Sequence, residues 1–280
     1  MRTGGRGDRK DRVRLAERWL KTTVDDVLRW FGYEIRRTGR RPAEIWQTRP
    51  GGSPQPPLPY AENPAIGASN LRVKLERVRA GGAFETENIA IINQAVARLI
   101  GPATRIVELG GGTGMFAYEA SADPTRTIVC SEFDAEASRW AQENRSRPNI
   151  RYVTRPVSPQ DGPFDLLVSI EVVEHVRDFP AFLAVCAGLA PRAILTTPNK
   201  SSRATAAADG PPDYRLHVRE WTAGEFYWVL RCFYEEVRLF TLPDALVPDV
   251  APIRVTDRRS PLIADCRRPI AASGGARPSA

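Results

Sequence analysis

Residues 105–114 read Arg105-Ile106-Val107-Glu108-Leu109-Gly110-Gly111-Gly112-Thr113-Gly114. A short apolar run stops at a cluster of glycines, the pattern of a buried parallel strand that ends in a tight turn. The stretch 115–121 that follows reads as helix. Glycine at 110, 112 and 114 lets the backbone pass close to a ligand, because no Cβ stands in the way. The start of the next helix adds unpaired N–H groups and a positive dipole end. The strand, turn and helix together predict a nucleotide-type cofactor site on an α/β sheet.

The spacing separates this loop from a dinucleotide fingerprint. That fingerprint is G-x-G-x-x-G, whereas here the pattern is G-x-G-x-G and Met stands at 115. An acidic residue, Glu108, lies two positions before the first glycine of the pattern. A pyrophosphate has no use for a carboxylate there, but the ammonium of an aminoacyl sulfonium does. Eighteen residues beyond Gly114, the run Thr127-Ile128-Val129-Cys130 ends in Ser131-Glu132. An acid at the tip of a second strand is placed to accept both hydroxyls of a ribose. At these residues the chain resembles the class I S-adenosylmethionine-dependent methyltransferases. Residues 108–114 look like their first motif and Glu132 like their ribose-binding acid. The resemblance implies S-adenosylmethionine as cofactor, held by Glu108, Gly110, Gly112, Gly114 and Glu132, with Phe133 and Glu171 completing the expected cofactor-binding set. It also implies the fold: a Rossmann-like, seven-stranded, mostly parallel sheet with an antiparallel last strand, helices on both faces and an N-terminal helical extension.

The chain has 280 residues, enough for one α/β domain with extensions and a sizeable core. Its formal charge is +7, from 40 Lys plus Arg against 33 Asp plus Glu. Much of the excess lies near the ends, at Arg2, Arg6, Arg9, Lys10, Arg12 and Arg14 and at Arg267, Arg268 and Arg277. Such tails attract nucleic acid or an anionic membrane surface weakly, or are simply solvated. The four cysteines, 130, 186, 232 and 266, have no C-x-x-C spacing and read as reduced residues, three of them in the core. The N-terminus is polar, without a signal peptide, and no run of 18 apolar residues exists. The expectation is a cytoplasmic protein with no transmembrane segment.

Residues 1–80 read as a basic helix and a Pro/Gly-rich arm that covers the acceptor side, 81–268 as the cofactor domain, and 269–280 as a disordered tail. In the first segment Val13, Ala16, Leu20, Val24, Val27, Leu28 and Phe31 share one helical face over 11–31. That helix, with Trp19 and Trp30, either packs on its own domain or lies on a membrane surface. The arm, 47–69, is rich in Pro and Gly. Helices are expected at 70–79 and, capped by Thr86, through Ile100. From 104 onward strand and helix alternate, which predicts a parallel sheet with helices on both faces. Strands are expected at 105–109, 127–131, 150–154, 164–169, 192–197, 234–242 and 260–267. Helices are expected near 114–121, 135–144, 179–188 and 222–232. The last two strands form an antiparallel hairpin around the connection 243–259. The polar stretch 201–213 reads as a mobile lid.

The strand 164–169 runs into Glu171-Val172-Val173-Glu174-His175-Val176. Ligands of open α/β sheets bind at the carboxyl ends of the strands. Two carboxyls and an imidazole placed there cost stability, which argues for a role. The chain's other histidine, His217, opens the helix 222–232 after the fifth strand, where Thr222 and Glu225 form a capping-box pair. His175 and His217 are the candidate bases, with Glu171 beside them. A structural helix-start or loop histidine is the competing reading of each. Here the resemblance sharpens. Glu171-Val-Val-Glu-His-Val looks like the E-x-x-E-H element of ubiquinone-biosynthesis and other small-molecule O-methyltransferases. Thr196-Thr197-Pro198-Asn199 looks like the end of their fifth strand, and His217 with Arg219-Glu220-Trp221 like the element that follows. The resemblance covers about 86–268.

Two related families place a divalent metal on this constellation, which implies Glu171, Glu174, His175 and His217 as ligands for Mg²⁺, Mn²⁺ or Zn²⁺ if a metal is used. Many sugar and natural-product methyltransferases carry the same letters without metal. After the third strand no acid stands before Asp161, so adenine is expected to be read by backbone, with Phe133 against its face. The expected function is S-adenosylmethionine-dependent O-methylation of a small molecule such as a sugar, a glycosylated natural product or a polysaccharide precursor. The alternatives are a metal-dependent RNA 2′-O-methyltransferase, a ubiquinone-type O-methyltransferase and, from another class, a non-catalytic cofactor-binding accessory protein.

Overall fold

The computed structural model describes residues 65–202 and 217–270, with side chains from residue 71 onward. The expected helix 11–31, most of the arm, the segment 203–216 and the tail from 271 lie outside the described residues. Two helices, α1 (Ala65–Arg79) and α2 (Glu87–Leu99), precede the sheet. Then come β1 (Arg105–Leu109), α3 (Met115–Ala120), β2 (Thr127–Ser131), α4 (Ala135–Asn144) and β3 (Ile150–Val153). The second half runs β4 (Leu166–Ser169), α5 (Phe179–Leu189), β5 (Arg192–Thr197), α6 (Ala223–Arg231), β6 (Tyr234–Thr241), β7 (Ala251–Pro252) and β8 (Leu262–Pro269). Among the described residues no helix is long and apolar enough to cross a membrane.

The strands form one eight-stranded sheet in the order β3-β2-β1-β4-β5-β8-β6-β7. Strands β1 to β5 pair in parallel, and β8 inserts antiparallel between β5 and β6. The apolar runs read as strands because both their faces are covered. On one face Ile106, Ile128, Leu166, Val168 and Ile194 pack with Ile92, Val96 and Phe116 of α2 and α3. The alternate residues Val107, Leu167 and Ala193 are buried as well, while α5 packs on β5 and α6 on β6 and β8. The four cysteines are free thiols, and Cys130, Cys186 and Cys266 are buried as the sequence predicts.

The sheet has one strand more than the seven expected. The connection 243–259 folds back far enough for Ala251 and Pro252 to pair with Thr241 and Phe240 on the outer edge of β6. Proline lacks an N–H to donate, so a two-residue strand carrying it belongs at an edge. Strand β4 starts two residues later than read. The Asp165 carboxylate before it accepts from the Thr104 and Arg105 backbone N–H groups at the foot of β1, so Asp165 ties the approach to β4 to the start of β1. Helix α1 begins earlier than read, at Ala65.

Candidate active site

The glycine turn after β1 lies against the tip of β2. Gly110 and Gly111 N–H donate to the Ser131 carbonyl at 2.9 and 3.0 Å. Gly112 N–H donates to Glu132 Oε2 at 2.7 Å, and Asp134 N–H to Glu132 Oε1 at 2.8 Å. A carboxylate offers about four lone-pair sites, so Glu132 keeps acceptor capacity for a diol while it shapes the loop. The three patterned glycines divide their work. A Cβ on Gly110 would strike Val172 and one on Gly114 would strike Tyr152, so these two serve close packing. Gly112, at φ +53°, has nothing within 4 Å of its Cβ position, and it is the glycine that faces open space. Phe133 sits half-buried beside Glu132.

Glu108 is 3% exposed. Its carboxyl lies behind Gly111 beside the Cys130 thiol, and its Oε2 has no hydrogen-bond partner. Burial pushes its pKa up to about 8. Asp161, the first acid after β3, is committed to Arg155, Arg151 and the Ser158 backbone, which hold its pKa well below the usual range.

Sequence reasoning missed a buried charge cluster at the same loop. Lys74 Nζ of α1 lies 2.7 Å from Glu85 Oε2. Arg145 Nη1 lies 3.2 Å from Glu85 Oε1 and donates to the Thr113 carbonyl at 3.1 Å. Thr113 Oγ1 donates to Glu85 at 2.8 Å and accepts from Lys74 at 3.1 Å. Phe84 stacks on Trp140 of α4 alongside, with centroids 4.1 Å apart. Burial lowers the pKa of Lys74, and the cations around Glu85 lower its carboxyl against the upward push of burial. Helix α1 and the segment before α2 are thereby clipped to the glycine loop.

At the carboxyl ends of β4 and β5 the two glutamates part. Thr196 and Thr197 are consecutive residues of β5, so their side chains point to opposite faces of the sheet. Thr196 Oγ1 donates to Glu171 Oε1 at 2.8 Å and accepts from Glu171 N–H at 2.9 Å. Thr197 Oγ1 donates to Glu174 Oε2 at 3.1 Å. Glu171 holds φ at +55°, a left-handed conformation that costs a non-glycine residue energy and clusters at functional sites. Burial pushes the Glu171 pKa up to about 7. Glu174, 1% exposed, is pushed well above the carboxylate range by burial and then by the charge of Glu171.

Three of the four expected metal ligands come together: Glu174, His175 and His217 each offer a donor atom within 4.8 Å of the others. Glu171 is not in that group, because its bonds to Thr196 hold it elsewhere. Glu174 Oε1 is buried without a hydrogen-bond partner, and His175 Nε2 stands 4.0 Å from it. The two imidazoles meet edge to face, with centroids 4.9 Å apart. Backbone fixes this meeting, since Val218 and Arg219 N–H both donate to the Glu174 carbonyl. Trp221, fully buried against Phe179 and Phe226, anchors the same segment. Thr222 and Glu225 form the capping box read from the sequence. The residue whose part was not read is Glu220, 2.6 Å from His217 Nδ1. A carboxyl three residues after a histidine was the available signal.

Comparison with known proteins agrees with this geometry. Residues 80–240 match the family model described as a methyltransferase domain. The ubiquinone biosynthesis O-methyltransferase of Caulobacter sp. (strain K31) is 29% identical over 146 residues, 49% of this chain and 56% of that protein. The protein of the same name from Rhodopseudomonas palustris (strain BisB5) is 31% identical over 94 residues, 30% of this chain and 35% of that protein. The chain thus spans about half or less of the curated relatives it matches. Among solved structures, the methyltransferase domain of bacterial CtHen1 is similar in fold, with a TM-score of 0.50 at 18% identity, covering 64% of this chain and 98% of that one.

Proposed function

The chain belongs to the methyltransferase-domain family and folds as a class I S-adenosylmethionine-dependent methyltransferase, and on that premise we propose that it methylates a hydroxyl oxygen of a small molecule. The observation that carries the reading is the meeting of His175, His217 and buried Glu174 where β4 and β5 end. In the proposed reaction the acceptor oxygen attacks the methyl carbon in line and the carbon–sulfur electron pair returns to sulfur. The hydroxyl proton passes to an imidazole. A sulfonium is intrinsically reactive, so alignment supplies most of the acceleration, up to ~7–11 kcal/mol in favourable cases. His175 is the proposed base and His217 the second candidate, and a positioned base typically gives ~10²–10⁴-fold. Gly112 and Glu132 are proposed to hold the cofactor, with Gly110 and Gly114 shaping the loop, Phe133 against adenine, and Glu108 and Glu171 acting on the aminoacyl and methyl ends.

The acceptors to test first are a ubiquinone-type precursor, by similarity to two proteins of that name, and sugars or glycosylated natural products. RNA with a free terminal 2′-hydroxyl completes the panel. His175→Ala should lower kcat by ~10²-fold or more on whichever acceptor is turned over, read as methyl transfer from radiolabelled cofactor. Full activity of His175→Ala would refute the assignment.

A second reading is supported by the unpartnered, buried Glu174 Oε1. A carboxylate and two imidazoles fit Mg²⁺, Mn²⁺ or Zn²⁺, and Glu174, His175 and His217 would hold the ion. Such an ion acidifies a hydroxyl bound to it. Under the base reading, activity is unchanged by EDTA and falls on acidification as the imidazole takes up a proton. Activity lost in EDTA and restored by a divalent ion would replace the first reading with the second.

A further inference from the structure

Glu220 is a carboxyl almost wholly removed from water, its side chain 1% exposed. Burying such a group costs several kcal/mol unless a well-placed partner compensates. His217 Nδ1 lies 2.6 Å from Glu220 Oε1, in a ring itself only 8% exposed. The contact is not an accident of a loose loop. The residues between the two are tied to Glu174 by the Val218 and Arg219 N–H groups. On the far side Trp221 is buried, and its carbonyl accepts from Lys200 N–H at 2.8 Å. Both ends of the pair are therefore fixed to the strand ends that carry the site.

We infer that Glu220 is a positioning residue that holds His217 as its Nδ1–H tautomer, so that Nε2 carries the lone pair at the reacting rim. A carboxylate accepts and does not donate. A neutral imidazole facing it must put its single proton on Nδ1, which leaves Nε2 as the basic nitrogen. Which nitrogen of a histidine is basic is set by the bond the other makes. The inference rests on the reading of this rim as the reacting centre, but it concerns the ring itself and holds whether His217 serves as base or as ligand.

The chain has only two histidines, which makes the test direct. The full-length protein labelled with ¹⁵N-histidine gives two imidazole spin systems in a long-range ¹H–¹⁵N correlation spectrum at pH 8. His175→Ala identifies the one belonging to His217. The expected result is a pyrrole-type Nδ1 and a pyridine-type Nε2 for His217. A proton on Nε2, alone or together with one on Nδ1, would overturn the inference. Glu220→Gln adds a second readout, because the carboxamide can donate to Nδ1 and so invert the tautomer. That inversion is expected, with kcat lowered at least tenfold and the KM for S-adenosylmethionine changed less than twofold. In a His217→Ala background the same change should have no further effect on kcat. A Glu220→Gln protein with both the wild-type tautomer and the wild-type kcat would show that the carboxyl only fills space. The wild-type spectrum decides even if the variant does not fold. Because the tautomer is read without any methyl transfer, failure to find an acceptor leaves this inference standing, and the reverse also holds.

Discussion

Glu108 and Glu174 are buried carboxyls and Glu171 is a half-buried one, and loss of solvent raises the pKa of each above the ordinary value of 4.5, to about 8 for Glu108 and about 7 for Glu171. A carboxyl whose folded pKa is raised binds its proton more tightly in the folded chain than in the unfolded one. Its contribution to stability is complete below pH 4.5 and is lost as the pH rises through the folded value. The cofactor-free protein should therefore lose stability between pH 5 and 8.5, the opposite of the usual carboxylate trend. Each group acts with a slope of up to ~1.4 kcal/mol per pH unit. Glu108→Gln copies the protonated form. Thermal melts of this variant should match the wild type at pH 5 and exceed it at pH 8.5, with the decline between pH 7 and 8 flattened. Parallel wild-type and variant curves across that range would mean that Glu108 is ionised behind the glycine loop.

Helix α1 joins the cofactor loop through charges that have left water, and this makes the element sensitive to single changes. Glu85→Ala would leave Lys74 and Arg145 facing each other at Thr113 without an anion. Breaking one partner out of a buried ion cluster costs ~3–5 kcal/mol. That loss should appear as a lower urea midpoint with an unchanged slope. The double change Lys74→Met with Glu85→Leu removes the unpaired charge and should recover most of the loss. If Glu85→Ala alone unfolded at the wild-type midpoint, the cluster would be solvated and α1 only loosely attached. None of this was legible in the sequence. Lys74, Glu85, Thr113 and Arg145 are separated along the chain by stretches with no shared period, and only the packing of α1 on α4 brings them together. The strands and the capping box were legible because their signals are local: an apolar run closed by glycine, or Thr222 with Glu225 three residues on. The parting of Glu171 from Glu174 was not. The motif puts them three residues apart, but consecutive threonines on β5 sort them to opposite faces. The two-residue β7 has no periodicity to read at all.

Taken as a whole, the described residues 65–202 and 217–270 hold the sheet, the glycine loop, the proposed ribose acid Glu132 and the histidine rim. The clip between α1 and Thr113 lies at the cofactor end, so a cut before α1 and a cut after it should behave differently. Deleting 1–64 keeps Lys74 paired with Glu85 and should leave S-adenosylmethionine affinity within a few-fold, measured by calorimetry. Deleting 1–79 removes Lys74, strips one cation from the cluster around Glu85 and bares the face of α4 on which α1 packs. Affinity should then fall at least tenfold together with the melting temperature. Turnover separates the two roles of the N-terminal segment. The sequence reading assigns the basic, aromatic segment before α1 to the acceptor side, and that assignment is what the shorter deletion tests. The shorter deletion should therefore bind cofactor normally and fail to methylate. Full turnover after deletion of 1–64 would show that this segment has no part in acceptor binding. Loss of cofactor affinity in the same variant would show instead that the cofactor site extends beyond α1 into the segment before it.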